Sequence, residues 1–382
     1  MRAPAAVFFL SLTLLSLTLL SLTLQAAAAD QSQPRVQTSH TTESLRGVSA
    51  VSRTVAWASG THGTYLRTID GGRTWTPAQV AGAETLDFRA VVAFSADEAF
   101  LMSAGPGEQS RIYHTSDAGS HWQLQFTNTN PKGFFDSMVF WDAKHGVVLG
   151  DPIPDESGTL KLELLLTEDG QNWRGIPTAK LPAAKAGEGA FAASNTCLAI
   201  VPGGFDANLW FATGGKAARV FHSGDRGQSW EVVDTPMAQG PDSAGIFSIA
   251  FRDAMHGVIA GGDYKHPNDD GPNLAFTDDG GNTWTLSPLH PLAYFSAVGY
   301  DRKVNDQAIR EAEVEKAMRV KAVAPERIFI VGQDFVFDFR PPRNPRRING
   351  KREMGIQFNA ASAYPEGGAL VVGPKGAIAF IP

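Results

Sequence analysis

A short turn recurs along this chain of 382 residues and divides it into units. It reads approximately Ser/Thr-x-Asp-x-Gly-x-Thr-Trp, and the third copy is one residue shorter. The aspartate and tryptophan of the five copies are Asp70 and Trp75, Asp117 and Trp122, Asp169 and Trp173, Asp225 and Trp230, and Asp279 and Trp284. The copies are about 50 residues apart, an interval typical of repeated supersecondary units. The Asp can accept hydrogen bonds from its own turn, the Gly permits a positive φ, and the Trp can pack against a sheet. We therefore expect a structural role for these residues.

Apolar segments around each turn predict a four-stranded meander, with three strands before the turn and one after the tryptophan. Meanders of this kind are the blades of a β-propeller. Seven segments look like first strands, and they begin near Leu45, Phe88, Phe135, Ala190, Ile246, Phe295 and Phe358. The last unit has three strands, and residues 35–39 can supply the fourth. The sequence thus predicts an all-β, seven-bladed propeller of four-stranded blades, closed by its N-terminal strand.

The first 29 residues have the layout of a secretory signal peptide. Arg2 precedes an apolar run over residues 7–24, and four alanines at 26–29 offer a cleavage site. An uncleaved membrane anchor is the alternative. We therefore predict an exported protein, periplasmic or secreted, with a single propeller domain over residues 30–382. Contact with a membrane is expected only through an uncleaved signal peptide.

The sixth unit carries a charged insert over residues 301–327, and its helix-forming residues predict a helix within blade six. This helix is either a solvated surface element or a docking site for a partner. The Asp turn of this unit is replaced by a basic loop with Arg340, Arg343, Arg346 and Arg347. These arginines are either solvated or pair with acidic protein or lipid headgroups.

The recurring turn is the Asp-box, or BNR repeat, which also occurs in sialidases. Further stretches, such as Phe134-Phe135-Asp136 and residues 60–68 and 187–194, make the mature chain resemble the Asp-box propellers related to photosystem II stability and assembly factors. The resemblance implies a propeller that helps to assemble or stabilise a protein complex at a membrane. The sixth unit, which lacks an Asp turn, departs from the pattern of that family.

Polar residues at one end of the blades are candidates for a binding face around the channel. Four of them directly follow the apolar residue that opens a first strand: Arg46, Arg89, Asp136 and Asn359. Longer loops on the same face add Asp151, Glu188, Asp263, Tyr264 and His266. We predict that these side chains contact a ligand or partner; the alternative is that they bond neighbouring loops and solvent.

Several functional classes lack support in the residues. The formal net charge of −6 gives no reason to expect nucleic acid as a partner. Cys197 is the only cysteine, so it cannot form an internal disulfide. His266 and its acidic neighbours lack the spacing of a calcium loop or zinc site, so no metal is predicted. No dinucleotide or haem motif is present, and no cofactor is expected.

We predict an exported, non-enzymatic propeller that binds proteins as an assembly scaffold. The alternative is a propeller that binds carbohydrate or hydrolyses glycosides as a sialidase does. Sialidase chemistry needs three arginines, a Tyr nucleophile paired with a Glu, and an Asp acid/base. Arg46 and Arg89 are possible arginines and Tyr264, Tyr294 or Tyr300 possible nucleophiles, but the sequence does not show their geometry. No catalytic residue is assigned.

Overall fold

A computed structural model describes residues 34–201, 207–288, 293–303, 327–332, 335–339, 351–353 and 355–382. Within these residues the chain folds into thirty short β-strands and three single-turn 3-10 helices. No helix of the described part is long and apolar enough to cross a membrane. The predicted signal peptide, the predicted helix of the insert and the basic loop with its arginines fall on residues outside these ranges.

The strands follow one another with short connections. In chain order they are β1 (Arg35–Gln37), β2 (Leu45–Ala50), β3 (Ala56–Gly60), β4 (Thr64–Thr68), β5 (Thr76–Gln79), β6 (Phe88–Ala93), β7 (Ala99–Ser103), β8 (Arg111–Thr115), β9 (Gln123–Thr127), β10 (Phe135–Phe140), β11 (Gly146–Pro154), β12 (Leu160–Thr167), β13 (Arg174–Gly175), β14 (Glu188–Gly189), β15 (Leu198–Ala199), β16 (Leu209–Ala212), β17 (Gly214–Gly215), β18 (Arg219–Ser223), β19 (Glu231–Asp234), β20 (Ala244–Phe251), β21 (Gly257–Asp263), β22 (Leu274–Thr277), β23 (Thr285–Leu286), β24 (Phe295–Tyr300), β25 (Ile328–Gly332), β26 (Phe335–Phe339), β27 (Lys351–Glu353), β28 (Ala360–Ala363), β29 (Ala369–Gly373) and β30 (Ala377–Ile381). The 3-10 turns are Gly107–Gln109, Thr178–Lys180 and Pro374–Gly376.

Six sheets of the described residues are four-stranded blades. Four of them are simple meanders, β2 to β5, β6 to β9, β10 to β13 and β24 to β27, and a fifth has the order β15-β16-β18-β19. The sixth has the order β1-β30-β29-β28, so the N-terminal strand pairs with the last strand of the chain. This pairing supplies the outer strand of the last blade and joins the two ends of the propeller.

The prediction of seven four-stranded blades is wrong. Beside the six four-stranded blades, the remaining sheet has six strands in the order β14-β17-β20-β21-β22-β23. The extra strands join it because glycines let backbones approach closely: a Cβ added to Gly214 would lie 2.8 Å from the Cα of Gly245. The first strand of the fourth unit also starts at Leu198, and not near Ala190 as predicted. The predicted helical insert in blade six is not seen in the described residues, apart from a helical start at residues 302–303.

Serine side chains cover the exposed edges of several innermost strands. A serine hydroxyl from one sheet accepts a hydrogen bond from a backbone N–H of the next sheet. The pairs are Ser362 with Ala50 at 3.1 Å, Ser49 with Ala93 at 3.0 Å, and Ser248 with Val298 at 2.8 Å. Innermost strands otherwise leave backbone N–H groups without a ladder partner, so these bonds tie neighbouring blades together around the channel.

The five repeated turns share one set of hydrogen bonds. In the first, Asp70 Oδ1 accepts from the Thr74 backbone N–H at 2.9 Å and from the Thr68 hydroxyl at 2.9 Å. Equivalent bonds from a later N–H of the turn reach Asp117, Asp169, Asp225 and Asp279. Backbone and side-chain bonds from His121 lower the pKa of Asp117 to about 2. The carboxylates are therefore engaged within their own turns, as a structural role requires.

Candidate functional site

A cavity of about 520 Å³ opens where the innermost strands begin, and we call it the mouth. Six of the nine residues predicted for the binding face line it: Arg46, Arg89, Asp136, Asp151, Tyr264 and Asn359. Their role in binding remains a prediction, but the structure places them around one opening. The predicted residues Glu188, Asp263 and His266 do not line it.

A repeated β-bulge directs side chains into the mouth. The register of five innermost strands shifts near their start, at the second residue in four of them and at the fourth in β20. Between Leu45 and Gly47, for example, one residue has no partner across the strand pair. These residues are Arg46, Arg89, Asp136, Phe247 and Ser296, and all five line the mouth. Bulges re-aim side chains and are common at the rims of closed sheets. Phe247 and Ser296 could have been found in the sequence. Like Arg46, Arg89 and Asp136, they directly follow the apolar residue at which a first strand was predicted to begin.

The basic half of the mouth consists of Arg46 and Arg89 with Asp87 between them. Asp87 Oδ2 lies 2.9 Å from Arg89 Nε and 3.7 Å from Arg46 Nη2. Arg89 Nη1 also donates to the carbonyl of Ala192 at 2.9 Å. Arg46 Nε and Asp87 Oδ1 are buried without a hydrogen-bond partner in the described part of the chain. Burial and the neighbouring Arg89 lower the pKa of Arg46. Because Nε has no partner, the guanidinium of Arg46 keeps an unused donor.

The acidic half consists of Asp136 and Asp151. Asp136 is 1% exposed, and its Oδ2 has no hydrogen-bond partner among the described residues. Burial, and then the charge of Asp151, raise the pKa of Asp136 well above its ordinary value. Burial also raises the pKa of Asp151, whose Oδ1 accepts from the Ala190 backbone N–H at 3.1 Å. These two carboxyl groups therefore favour a proton or another positive group beside them.

Replacing Asp136 by Asn is expected to stabilise the protein increasingly as the pH rises above about 4. When folding raises the pKa of an acid, the free energy of unfolding of the protein falls as the pH rises from the unfolded-state pKa to the folded-state pKa of that acid. The amide cannot ionise, so the variant avoids this loss. Urea unfolding of both proteins over a pH series measures the difference, and a difference that stays constant with pH contradicts the expectation.

An aromatic wall completes the mouth, formed by Phe191, Phe247, Tyr264 and Tyr294. Phe191 and Phe247 stack with ring centroids 3.8 Å apart, and Tyr294 meets Phe247 edge-on at 4.8 Å. Tyr264 also lies edge-on to Phe247, at 6.1 Å, and is 48% exposed. Of these four rings, only that of Tyr264 is among the residues predicted for the binding face. Flat apolar side chains beside unused polar atoms are typical of a binding site.

The three predicted residues that do not line the mouth have partners elsewhere. Glu188 forms a buried ion pair with Arg219, with Oε2 and Nη2 2.5 Å apart. Asp263 pairs with His266, and Asp263 Oδ2 lies 2.9 Å from His266 Nδ1.

In the described residues, no group of three or more His, Cys, Asp or Glu side chains is arranged to hold a metal ion. Burial raises the pKa of the Cys197 thiol.

Comparison with known proteins identifies one related family. The family described as photosynthesis system II assembly factor YCF48 matches residues 26–133. The predicted resemblance to that family is confirmed. The YCF48-like stretch contains Arg46, Asp87 and Arg89, and it ends before Asp136. The basic half of the mouth thus lies within the matched residues, whereas the acidic half and the aromatic wall lie beyond them.

Solved structures similar to this chain include two of YCF48. YCF48 bound to a D1 peptide is 16% identical, with 91% of this chain and 94% of that chain covered and a TM-score of 0.40. YCF48 from Cyanidioschyzon merolae is 14% identical, with 91% and 98% covered and a TM-score of 0.43. The WD40 β-propeller domain of Doa1 is 11% identical, with 91% and 96% covered and a TM-score of 0.56, a likeness that shows the propeller fold alone. No curated protein matches the chain.

Proposed function

We propose that this protein is a binding scaffold whose mouth holds a segment of a partner protein. The observation that carries the proposal is the set of bulged residues Arg46, Arg89 and Asp136, which face one opening beside an aromatic wall. Unused polar atoms on both halves of this opening can bond a ligand, and the aromatic rings offer apolar contact.

A protein segment is the class of partner that we propose for this mouth. A D1 peptide is the ligand of the solved YCF48 structure, and for this chain we propose a protein segment without naming it. We further propose that the protein acts in assembly of a membrane complex, outside the cytoplasm, without catalysing a reaction. The signal-peptide pattern of residues 1–29 supports export.

Substitution of the mouth is expected to abolish capture of the partner. The mature chain, residues 30–382, serves as bait for the envelope fraction of the source organism after chemical cross-linking. The test variant carries Arg46→Ala, Arg89→Ala and Asp136→Ala. A matched control carries Arg73→Ala, Lys144→Ala and Asp278→Ala, which remove the same charges from exposed positions that do not line the mouth.

We expect one protein that the wild type and the control recover reproducibly and that the mouth variant does not recover. Circular dichroism and urea unfolding establish that the mouth variant is folded. Equal recovery by all three proteins, or recovery of no protein by the wild type, contradicts the proposed function.

Carbohydrate binding or glycoside hydrolysis is a second candidate. It is favoured by Asp136 and Asp151, two acids with raised pKa values, which line the same opening as the exposed ring of Tyr264. Burial raises the pKa of Tyr294 as well, which disfavours its phenolate as a nucleophile. Turnover in a panel of fluorogenic glycosides, abolished by Asp136→Asn, would establish this function in place of the scaffold.

A further inference from the structure

The acidic half of the mouth has a feature that general protein binding does not explain. Asp136 is almost fully buried, yet one of its two oxygens has no hydrogen-bond partner among the described residues. A buried polar atom in this condition costs free energy comparable to a lost hydrogen bond. Because Asp136 lines the open mouth, a donor from a bound molecule can reach it and recover that free energy.

The charges around Asp136 favour a positive donor. Arg89 bonds Asp87 and the Ala192 carbonyl, and no described hydrogen bond joins it to Asp136. Its charge lowers the pKa of Asp136, but by less than burial and the charge of Asp151 raise that pKa. When all groups are ionised, the two arginines and the three aspartates of the mouth sum to one negative charge. The excess lies on the acidic half, because Asp87 is bonded within the basic half.

The aromatic wall suits a cation with an aliphatic stem. Phe191 and Phe247 stack on each other, and Tyr294 and Tyr264 meet Phe247 edge-on. Lysine and arginine stems pack on such rings, and their charged heads are attracted by ring faces. A ligand carboxylate at the same place would meet Asp136 and Asp151 and would be repelled by them.

We propose that the acidic half of the mouth is a subsite for a lysine or arginine side chain of the bound protein segment. Asp136 Oδ2 accepts a hydrogen bond from the ammonium or guanidinium group, and the aromatic wall packs against the stem. This inference rests on the proposed function and adds to it the chemistry that the partner must present. Arg46, on the opposite half, keeps its unused donor for another group of the same segment.

Four small probes test the subsite: the Nα-acetyl amides of lysine, arginine, norleucine and glutamate, titrated against the mature chain by ligand-observed NMR. We expect saturable binding of the lysine or arginine probe and about tenfold or more weaker binding of norleucine and glutamate. The relative affinity of the two cationic probes distinguishes an ammonium from a guanidinium ligand.

Asp136→Asn, which keeps the shape of the side chain, should lower the affinity for the cationic probe by about tenfold or more. Asp278→Asn, the same change at an exposed site outside the mouth, should leave that affinity unchanged. Each of four results overturns the subsite: norleucine binding as tightly as both cationic probes, preferred binding of glutamate, no binding of any probe, or an unchanged affinity of the cationic probe for Asp136→Asn.

Partner capture separates failure of this inference from failure of the proposed function. If Arg46→Ala and Arg89→Ala abolish capture while Asp136→Asn does not, the scaffold stands and the cationic subsite is rejected. If the lysine or arginine probe binds through Asp136 but no protein is captured, the subsite stands as a site for small cations and the scaffold is rejected.

Discussion

Replacing Glu188 by Ala is expected to lower the free energy of unfolding by about 3–5 kcal/mol. Both of its carboxylate oxygens are fully engaged inside the protein. Oε1 accepts from Arg219 Nε at 2.9 Å and from the Thr213 hydroxyl at 2.6 Å, while Oε2 accepts from Arg219 Nη2 and from the Lys185 backbone N–H at 2.7 Å. The Ala variant leaves the guanidinium of Arg219 buried without its counter-ion, and an uncompensated buried charge is expensive.

Urea denaturation measures this loss as a lower midpoint at an unchanged slope. An exposed ion pair supplies the control: Glu168 and Arg174 lie 2.9 Å apart with more than half of each side chain exposed. Glu168→Ala should cost less than about 1 kcal/mol. A loss from Glu188→Ala no larger than that from Glu168→Ala contradicts the prediction and would restore Glu188 as a candidate for ligand binding.

Replacing Trp75 by Ala is expected to cost about 3–5 kcal/mol, because it removes a large side chain from a packed core. Trp75 is 1% exposed and lies in a cluster that also contains Leu45 of the first blade and Leu370 of the last. Its indole N–H donates to Gln37 Oε1 at 2.8 Å, and Gln37 belongs to the strand that pairs with β30. The substitution thus weakens the joint between the two ends of the propeller.

Thermal and urea unfolding measure the effect, and Trp75→Phe serves as the matched variant. The phenyl ring keeps most of the apolar volume but lacks the N–H group, so it should cost less than Ala. Partner capture by the protein that remains folded should be unchanged, because Trp75 does not line the mouth. Lost capture at an unchanged unfolding midpoint would contradict the structural role of the Asp-box tryptophan.

Gln37 and Gln125 show how the joint between blades repeats. Each accepts from the indole of a neighbouring Asp-box tryptophan and donates to a glycine carbonyl of the same turn; the pairs are Gln37 with Trp75 and Gly71, and Gln125 with Trp173 and Gly170. Where no glutamine is in place, Trp230 and Trp284 bond a glycine carbonyl of their own turn. The N–H groups of these four Asp-box tryptophans are thus satisfied in two ways. The N–H group of Trp122 has no hydrogen-bond partner among the described residues.

Much of the fold could be predicted because its signals are local. The bonds of an Asp-box turn join residues within four positions of Asp70, so a short segment specifies the turn wherever it occurs. Alternating apolar segments of suitable length likewise indicate strands and meanders. The same repeat register predicted that Arg46, Arg89 and Asp136 lie at equivalent places, and the structure puts them at equivalent bulges.

What the sequence could not determine depends on contacts between distant segments. The ion pair of Glu188 with Arg219 spans 31 residues, and the bond of Arg89 to Ala192 spans 103. The six-stranded sheet depends on the meeting of Gly214 with Gly245, which no strand pattern indicates. The sequence by itself determined the turns, the strands and the repeat positions that face the channel, because local hydrogen bonds and side-chain alternation act over a few residues. Only the tertiary structure decided which polar groups neutralise one another and which remain available at the mouth, because pairing depends on packing between blades.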